Sequence, residues 1–157
     1  MRGQQGFTLI EMMVTLTLLA TLATAALPMV QRHQQQRHEE QLRESLREIR
    51  TALDRYAQAS SEGRIAKEAN ASNYPRSLQV LTDGVMDKTS PTKKKLYFLR
   101  AVPRDPFCLC DGKSNAETWQ LRASNQAPDD FSGGEDVYDI RSGSNMTGLN
   151  GVPYAQW

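Results

Sequence analysis

Near its amino terminus the chain reads Gly6-Phe7-Thr8-Leu9-Ile10-Glu11, and residues 7–30 are apolar or small apart from Glu11. A run of this length can cross a bilayer as an α-helix, which rises about 1.5 Å per residue. A carboxylate inside such a helix costs about 2.5 to 3.5 kcal/mol and persists mainly where a partner neutralises it. We therefore predict a membrane helix over residues 7–30 whose Glu11 needs a cation that this part of the chain does not supply.

The six residues before Phe7 are hydrophilic and basic, and Gly6 offers a peptidase a bond without a side chain in the way. A short basic leader that ends in Gly and is followed by Phe-Thr-Leu-Ile-Glu resembles the class III signal of type IV pilins and type II secretion pseudopilins. The resemblance implies that a prepilin peptidase cuts between Gly6 and Phe7 and methylates the new amino terminus. It also implies that Glu11 faces the amino terminus of a neighbouring subunit, a buried pairing whose main value is register.

Two other interpretations of the apolar run are weaker. An ordinary secretory signal would use a small-residue cleavage site, and Ala23-Thr24-Ala25 fits one. A charge in the apolar core disfavours that class. A plain single-span anchor leaves both the Gly6–Phe7 junction and Glu11 without a reason.

Length and charge limit what the rest of the chain can be. The protein has 157 residues, so removing the apolar run leaves roughly a hundred, enough for one small core. A net charge of +1 provides no field that would attract nucleic acid or an acidic substrate. Basic residues flank the run on both sides, so charge alone does not orient it. The resemblance implies a single pass through the bacterial inner membrane with the head in the periplasm.

The helix is predicted to continue beyond the membrane, because residues 31–41 contain no Gly or Pro. Apolar residues then recur at spacings of four and three along one helical face, which needs a cover: Leu42, Leu46, Ile49, Leu53 and Tyr56. Stop signals follow at Ser60 to Gly63. The sequence thus predicts one helix from near Phe7 to near Ser60.

Pro28 interrupts this helix near the end of the apolar run, and a proline there kinks or loosens the preceding turn. It is either a passive kink at the membrane exit or, as its resemblance to pilins with a proline at the matching place implies, a hinge that extends on assembly. We divide the chain into a leader (1–6), a transmembrane and assembly helix (7–30), a helix continuing into the head (31–60) and a globular periplasmic head (61–157).

The head is predicted to be small and mixed. Residues 74–81 indicate a helical turn that begins at Pro75, residues 87–95 an exposed basic loop, and residues 103–107 a structured loop whose two prolines forbid ladder pairing. The first and third segments resemble pseudopilin motifs, although Phe107 and Cys108 replace a Trp-Gly pair. Alternation over 118–122 and 136–141 predicts two antiparallel strands that cover the helix. The fold class is α+β, a long amino-terminal helix packed on a small antiparallel sheet.

No enzyme signature is found. His33 and His38 are five residues apart and do not stack on one helical face, Ser142-Gly143-Ser144 lacks an ordered base, and no glycine-rich phosphate loop occurs. Cys108 and Cys110 are not a zinc motif and could form a local disulfide or stay free.

Calcium is the one metal that the resemblance implies, because major pseudopilins hold it in a carboxy-terminal loop. Asp136 and Asp139 are the candidate ligands among several oxygen-bearing residues, but the Asp-Asp run expected near the end is absent. The alternative is that both lie at a strand edge and that residues 148–154 form a turn packing Tyr154 and Trp157 onto the head.

The sequence is therefore interpreted as a structural, non-enzymatic subunit of a pseudopilus that polymerises through its amino-terminal helix to drive type II protein secretion. Its implied partners are copies of itself, a prepilin peptidase and an inner-membrane assembly platform. A major or minor type IV pilus subunit would share this amino terminus. A secreted binding protein with an ordinary signal peptide is the other alternative.

Overall fold

The computed structural model describes residues 7–68 and 71–157, and the side chains of residues 25–28 lie outside the description. The chain divides into two compact units, residues 1–37 and 38–157. Helix α1 spans Leu9–Ser61, close to the predicted bounds. This helix and two small antiparallel sheets confirm the predicted α+β class.

Helix α1 ends with the chemistry that the sequence indicated. Gly63 adopts a positive φ of 74°, its amide donates to the carbonyl of Ser60 (3.0 Å), and the amide of Arg64 donates to the carbonyl of Ala59 (3.0 Å). These two bonds form a Schellman motif, which satisfies carbonyls that a helix end would otherwise leave unpaired. The stop at Ser60 to Gly63 is confirmed.

The apolar face of α1 forms the centre of the head. Leu42 and Ile49 are fully buried, and Leu46 and Leu53 are nearly so. They belong to one core cluster with side chains from the loops and strands, including Leu78, Leu81, Trp119, Val137, Ile140 and Tyr154. Burying a large aliphatic side chain contributes about 1.5 to 3 kcal/mol, so the face that the spacing predicted contributes substantially to the stability of the head.

The sequence did not predict the first of the two sheets. After the short helix α2 (Gln79–Asp83), strand β1 (Val85–Met86) pairs antiparallel with β2 (Lys95–Leu96). Only the connection between them fits the predicted basic loop. Two-residue strands are too short for alternation to signal them, and their pairing depends on contacts from elsewhere, such as the bridge between Ile65 and Asp87.

The second sheet is the one predicted, with a later start to its second strand. Strand β3 (Trp119–Arg122) pairs antiparallel with β4 (Asp139–Ser142), and Leu121 lies opposite Ile140. The expected strand began at Asp136, but the amide of Val137 donates to the carbonyl of Pro75 (2.8 Å). Residues 137 and 138 therefore donate to Pro75 and Arg122 before the ladder of β4 begins. Helix α2 also begins later than predicted, at Gln79 and not at Pro75.

The proline-rich segment 103–107 is a structured loop without a strand, as predicted. Its anchor is Asp105, which is 1% exposed and accepts hydrogen bonds from the hydroxyl of Ser142 (2.6 Å) and the amide of Phe107 (2.9 Å). A buried carboxylate needs such donors, so Asp105 fixes the loop against β4.

Acid should weaken the first hairpin through Asp87. The Arg64 guanidinium (2.7 Å) and the hydroxyl and amide of Thr89 lower the pKa of Asp87 to about 2. Because this value lies below the ordinary one of about 4, the stabilisation is present above about pH 4 and is lost as the pH falls towards about 2. Asp87→Asn should remove this part of the acid dependence in urea unfolding measured across that range. Exposed Asp111→Asn should keep the parent's pH profile, and identical profiles for both variants would contradict the assignment.

Candidate processing and assembly site

A reciprocal cap starts helix α1 next to the predicted cleavage point. The amide of Thr8 donates to Glu11 Oε2 (3.4 Å), and the amide of Glu11 donates to Thr8 Oγ1 (3.3 Å). This is a capping box, in which two amides at the helix start are satisfied by side chains. Glu11 thus has a local partner that the sequence interpretation overlooked, although Thr-x-x-Glu is a recognisable signal for it.

The cap does not neutralise Glu11. Among residues 7–68 and 71–157 no cationic side chain forms an ion pair with it. The amino end of a helix favours a carboxylate by roughly 0.3 to 1 kcal/mol, which is less than the cost of placing that charge in lipid. The demand for a cation from another molecule therefore persists.

The other polar groups of the apolar segment are satisfied within the helix. The hydroxyls of Thr15, Thr17, Thr21 and Thr24 donate to backbone carbonyls three or four residues earlier at 2.7 to 3.0 Å. Such bonds allow threonine to lie in lipid without an unpaired donor. Glu11 is the one charged group in this segment.

The segment exposes apolar side chains all around the helix. Phe7, Leu9 and Met29 are each more than three-quarters exposed, and the large apolar residues from Ile10 to Leu22 are at least half exposed. Among the described residues, α1 is the one helix long and apolar enough to cross a membrane. A soluble monomer rarely exposes such a surface, so it belongs in lipid or against other helices.

The structure does not describe two of the predicted site positions, Gly6 and the side chain of Pro28. Gly6 lies outside the described residues, while Phe7 is 78% exposed. Helix α1 is assigned through residue 28, but the side chain of Pro28 lies outside the description. The kink or hinge at Pro28 stays a prediction.

The two candidate calcium ligands are engaged with protein donors. Asp136 accepts from the amide (2.9 Å) and hydroxyl (2.6 Å) of Ser124. Burial raises the pKa of Asp136, but the hydrogen bonds outweigh burial and hold that pKa below its usual range. Asp139 pairs with Arg50 (2.9 Å) and Arg122 (3.4 Å), which place positive charge beside it.

This arrangement does not fit a calcium ion, which needs several free oxygens together. Within the described residues no group of three or more His, Cys, Asp or Glu side chains could hold a metal. Calcium binding at Asp136 and Asp139 stays a prediction that the present contacts do not support.

The carboxy-terminal segment is held on α1 by residues that the sequence did not single out. Glu39 is 5% exposed, and its Oε1 accepts from the amide of Leu149 (2.8 Å) and the hydroxyl of Tyr154 (2.9 Å). The guanidinium of Arg43 lies 4.3 Å from the centre of the Trp157 ring, and Arg50 donates to the carbonyl of Trp157 (3.0 Å). The predicted packing of Tyr154 and Trp157 on the head is thus observed.

Glu39→Ala should destabilise the head by about 2 to 4 kcal/mol, because it removes the acceptor used by two donors, one of them fully buried. Exposed Glu40→Ala, on the next residue of the same helix, should change the unfolding free energy by less than about 0.5 kcal/mol. Chemical denaturation of a soluble fragment that begins at residue 31 measures the unfolding free energy of both variants. Equal effects of the two substitutions would show that Glu39 does not clamp the segment.

The two cysteines form a disulfide, Cys108–Cys110, which resolves the alternative left open by the sequence. Arg104 supports the same loop by donating to the carbonyls of Cys110 (2.6 Å) and Lys113 (3.0 Å). Next to it, the Phe107 ring stacks on Tyr154 with centroids 4.0 Å apart.

Residues 1–27 match the prokaryotic N-terminal methylation motif. The chain is 26% identical over 110 residues to the type II secretion system core protein G of Dickeya chrysanthemi, an alignment covering 68% of this chain and 65% of that protein. The match therefore spans slightly less than two thirds of the relative's length. No solved structure matches significantly.

These findings confirm the predicted resemblance to type IV pilins and pseudopilins. The chain thus has a match to the methylation motif followed by an apolar amino-terminal helix, and its similarity is to pilin-like structural subunits and not to enzymes.

Proposed function

We propose that this protein is a subunit of a pseudopilus that polymerises through its amino-terminal helix to drive type II secretion. The observation that carries the proposal is the exposed apolar segment of α1, which overlaps the matched methylation motif and whose one charged residue is Glu11. The similarity to a type II secretion core protein favours a pseudopilus over a type IV pilus, which remains the second candidate.

The proposed mechanism combines the physical properties of this helix with what the resemblance to pilins and pseudopilins implies. The subunit waits in the inner membrane with its head in the periplasm, and a prepilin peptidase cuts after Gly6 and methylates Phe7. An inner-membrane assembly platform then moves the apolar helices from lipid into a bundle of helices. Apolar contact is not directional, so it does not select one stagger between neighbours. The amino group of Phe7 on one copy and the Glu11 carboxylate on another supply that selection.

Processing is the step that separates this proposal from an ordinary secretory signal. The mature chain should begin at methylated Phe7, and Gly6→Val should leave the leader attached because a branched side chain then lies beside the bond. Gly3→Val, which adds the same side chain within the leader but away from the bond, should be cut normally. Intact-mass spectrometry distinguishes these products. A mature chain that begins at Ala26 would contradict the pilin-like assignment and favour a secreted binding protein.

A further inference from the structure

Helix α1 carries an isolated basic surface immediately after its apolar run. Arg32, His33 and Arg37, which we call the basic collar, are all exposed. No Asp or Glu occurs between Glu11 and Glu39. The Glu39 carboxylate accepts hydrogen bonds within the head, from Leu149 and Tyr154. No acidic residue therefore precedes the collar back to Glu11, whereas exposed Glu40 follows Arg37 by three positions.

Two members of the collar, His33 and Arg37, lie on one side of the helix, whereas Arg32 lies about 140° around the axis from Arg37. Arg37 Nη2 lies 3.3 Å from His33 Nε2, one helical turn earlier. Arginine can only donate, so the ring nitrogen is the acceptor in this contact. Arg32 lies beside His33 in sequence, and Met29 lies three residues before Arg32. Met29 and Val30 are 77% and 55% exposed. Along the helix axis this surface thus changes from apolar to cationic within about two turns.

We propose that the basic collar binds the headgroups of anionic phospholipids, with acyl chains along Met29 and Val30 and with separate phosphates against Arg32 and Arg37. Guanidinium groups bind phosphate oxygens in a bidentate fashion and lose less hydration than an ammonium does. A second copy of the chain could also offer negative charge. Lipid is the better match because the collar continues directly from a run of membrane-spanning length, where headgroups follow acyl chains in the same order. The inference rests on the membrane anchoring in the proposed function.

Such a contact would fix the depth of the helix in the membrane before assembly. Each basic residue near an anionic surface contributes roughly a fivefold preference at low ionic strength, and salt screens the effect. The arginines would then oppose removal of the subunit from lipid until other contacts replace the headgroups.

The test uses the processed protein, residues 7–157, reconstituted in phosphatidylcholine vesicles. Spin-labelled phosphatidylglycerol or spin-labelled phosphatidylcholine is the probe. Electron paramagnetic resonance measures the fraction of each lipid that the protein immobilises. The parent should immobilise phosphatidylglycerol several-fold more strongly, and high salt should reduce the difference. Arg32→Gln combined with Arg37→Gln should abolish the selectivity. Arg47→Gln combined with Arg55→Gln, which removes two exposed charges further along α1, should preserve the selectivity.

Several results would overturn the inference. They are equal immobilisation of the two lipids by the parent, equal loss of selectivity in both double variants, displacement of the labelled lipid by inorganic phosphate, and collar-dependent crosslinking to a second copy without lipid selectivity. Alkaline extraction of the same vesicles keeps the two proposals distinct. Extraction of the parent from the vesicles would contradict the membrane anchoring in the proposed function. A parent that stays in the membrane but shows no lipid selectivity would contradict only the lipid-binding proposal.

Discussion

Replacing Ile49 by Asp should destabilise a soluble fragment that begins at residue 31 by about 3 to 5 kcal/mol. Ile49 is fully buried at the centre of the core cluster, between Leu46 and Leu53 on the same helical face. An aspartate there would place a carboxylate among apolar side chains without a cation or donor to pair with it. Since small domains have only about 5 to 15 kcal/mol of stability, this loss is a large fraction of the total and should lower the melting temperature strongly.

The matched control is Thr51→Asp, which introduces the same group two residues away at an exposed position of the same helix. Its melting temperature should stay close to that of the parent. Ile49→Ala, which leaves a cavity but no charge, should cost about 2 to 5 kcal/mol and remain measurable if the aspartate variant does not fold. Unchanged melting of both Ile49 variants would show that the apolar face of α1 is not the centre of the head.

The second large effect is expected at Glu11 and concerns assembly and not folding. Glu11→Leu removes a charge that is costly in lipid, so the variant should insert at least as well as the parent. It should also be cut after Gly6, and its head, which contains none of the residues around position 11, should fold normally. Filaments should nevertheless be rare or irregular, because the group that pairs with the incoming amino terminus is gone.

The capping box adds a second role for Glu11, which one more variant separates. Glu11→Gln keeps an oxygen that can accept from the amide of Thr8 and removes only the charge. Thr8→Ala does the reverse: it weakens the cap by about 0.5 to 2 kcal/mol and keeps the carboxylate. If charge sets the register, Glu11→Gln should assemble as poorly as Glu11→Leu, and Thr8→Ala should assemble well. The opposite ranking would make helix capping the function of Glu11.

The elements that could be predicted from the sequence are those that depend on local repetition. The spacing of Leu42, Leu46, Ile49 and Leu53 is periodic, and the structure buries these residues as expected. The pair of strands β3 and β4 was predicted from alternation for the same reason. Gly63 ends α1 because the left-handed conformation of the Schellman motif favours glycine.

What the sequence did not reveal depends on partners far away along the chain. Glu39 and Glu40 are indistinguishable in sequence, yet Glu39 is buried because Leu149 and Tyr154 reach it across more than a hundred residues. Strand β4 starts late because Val137 donates to Pro75, another long-range bond. The candidate site also has features that are local in sequence and features that depend on long-range contacts. The charge of Glu11 was visible as an anomaly in an apolar run, whereas the pairing of Asp139 with Arg50 and Arg122 appears only in the fold.

Electron microscopy of sheared filaments tests the central claim most directly. Cells expressing the parent, Glu11→Leu, Glu11→Gln or Thr8→Ala as the sole copy of the subunit would be compared after immunoblotting confirms equal amounts of processed protein. We expect regular filaments with the parent and Thr8→Ala, and few or irregular filaments with both Glu11 variants. Normal filaments in normal number from Glu11→Leu would contradict the claim that this carboxylate directs assembly.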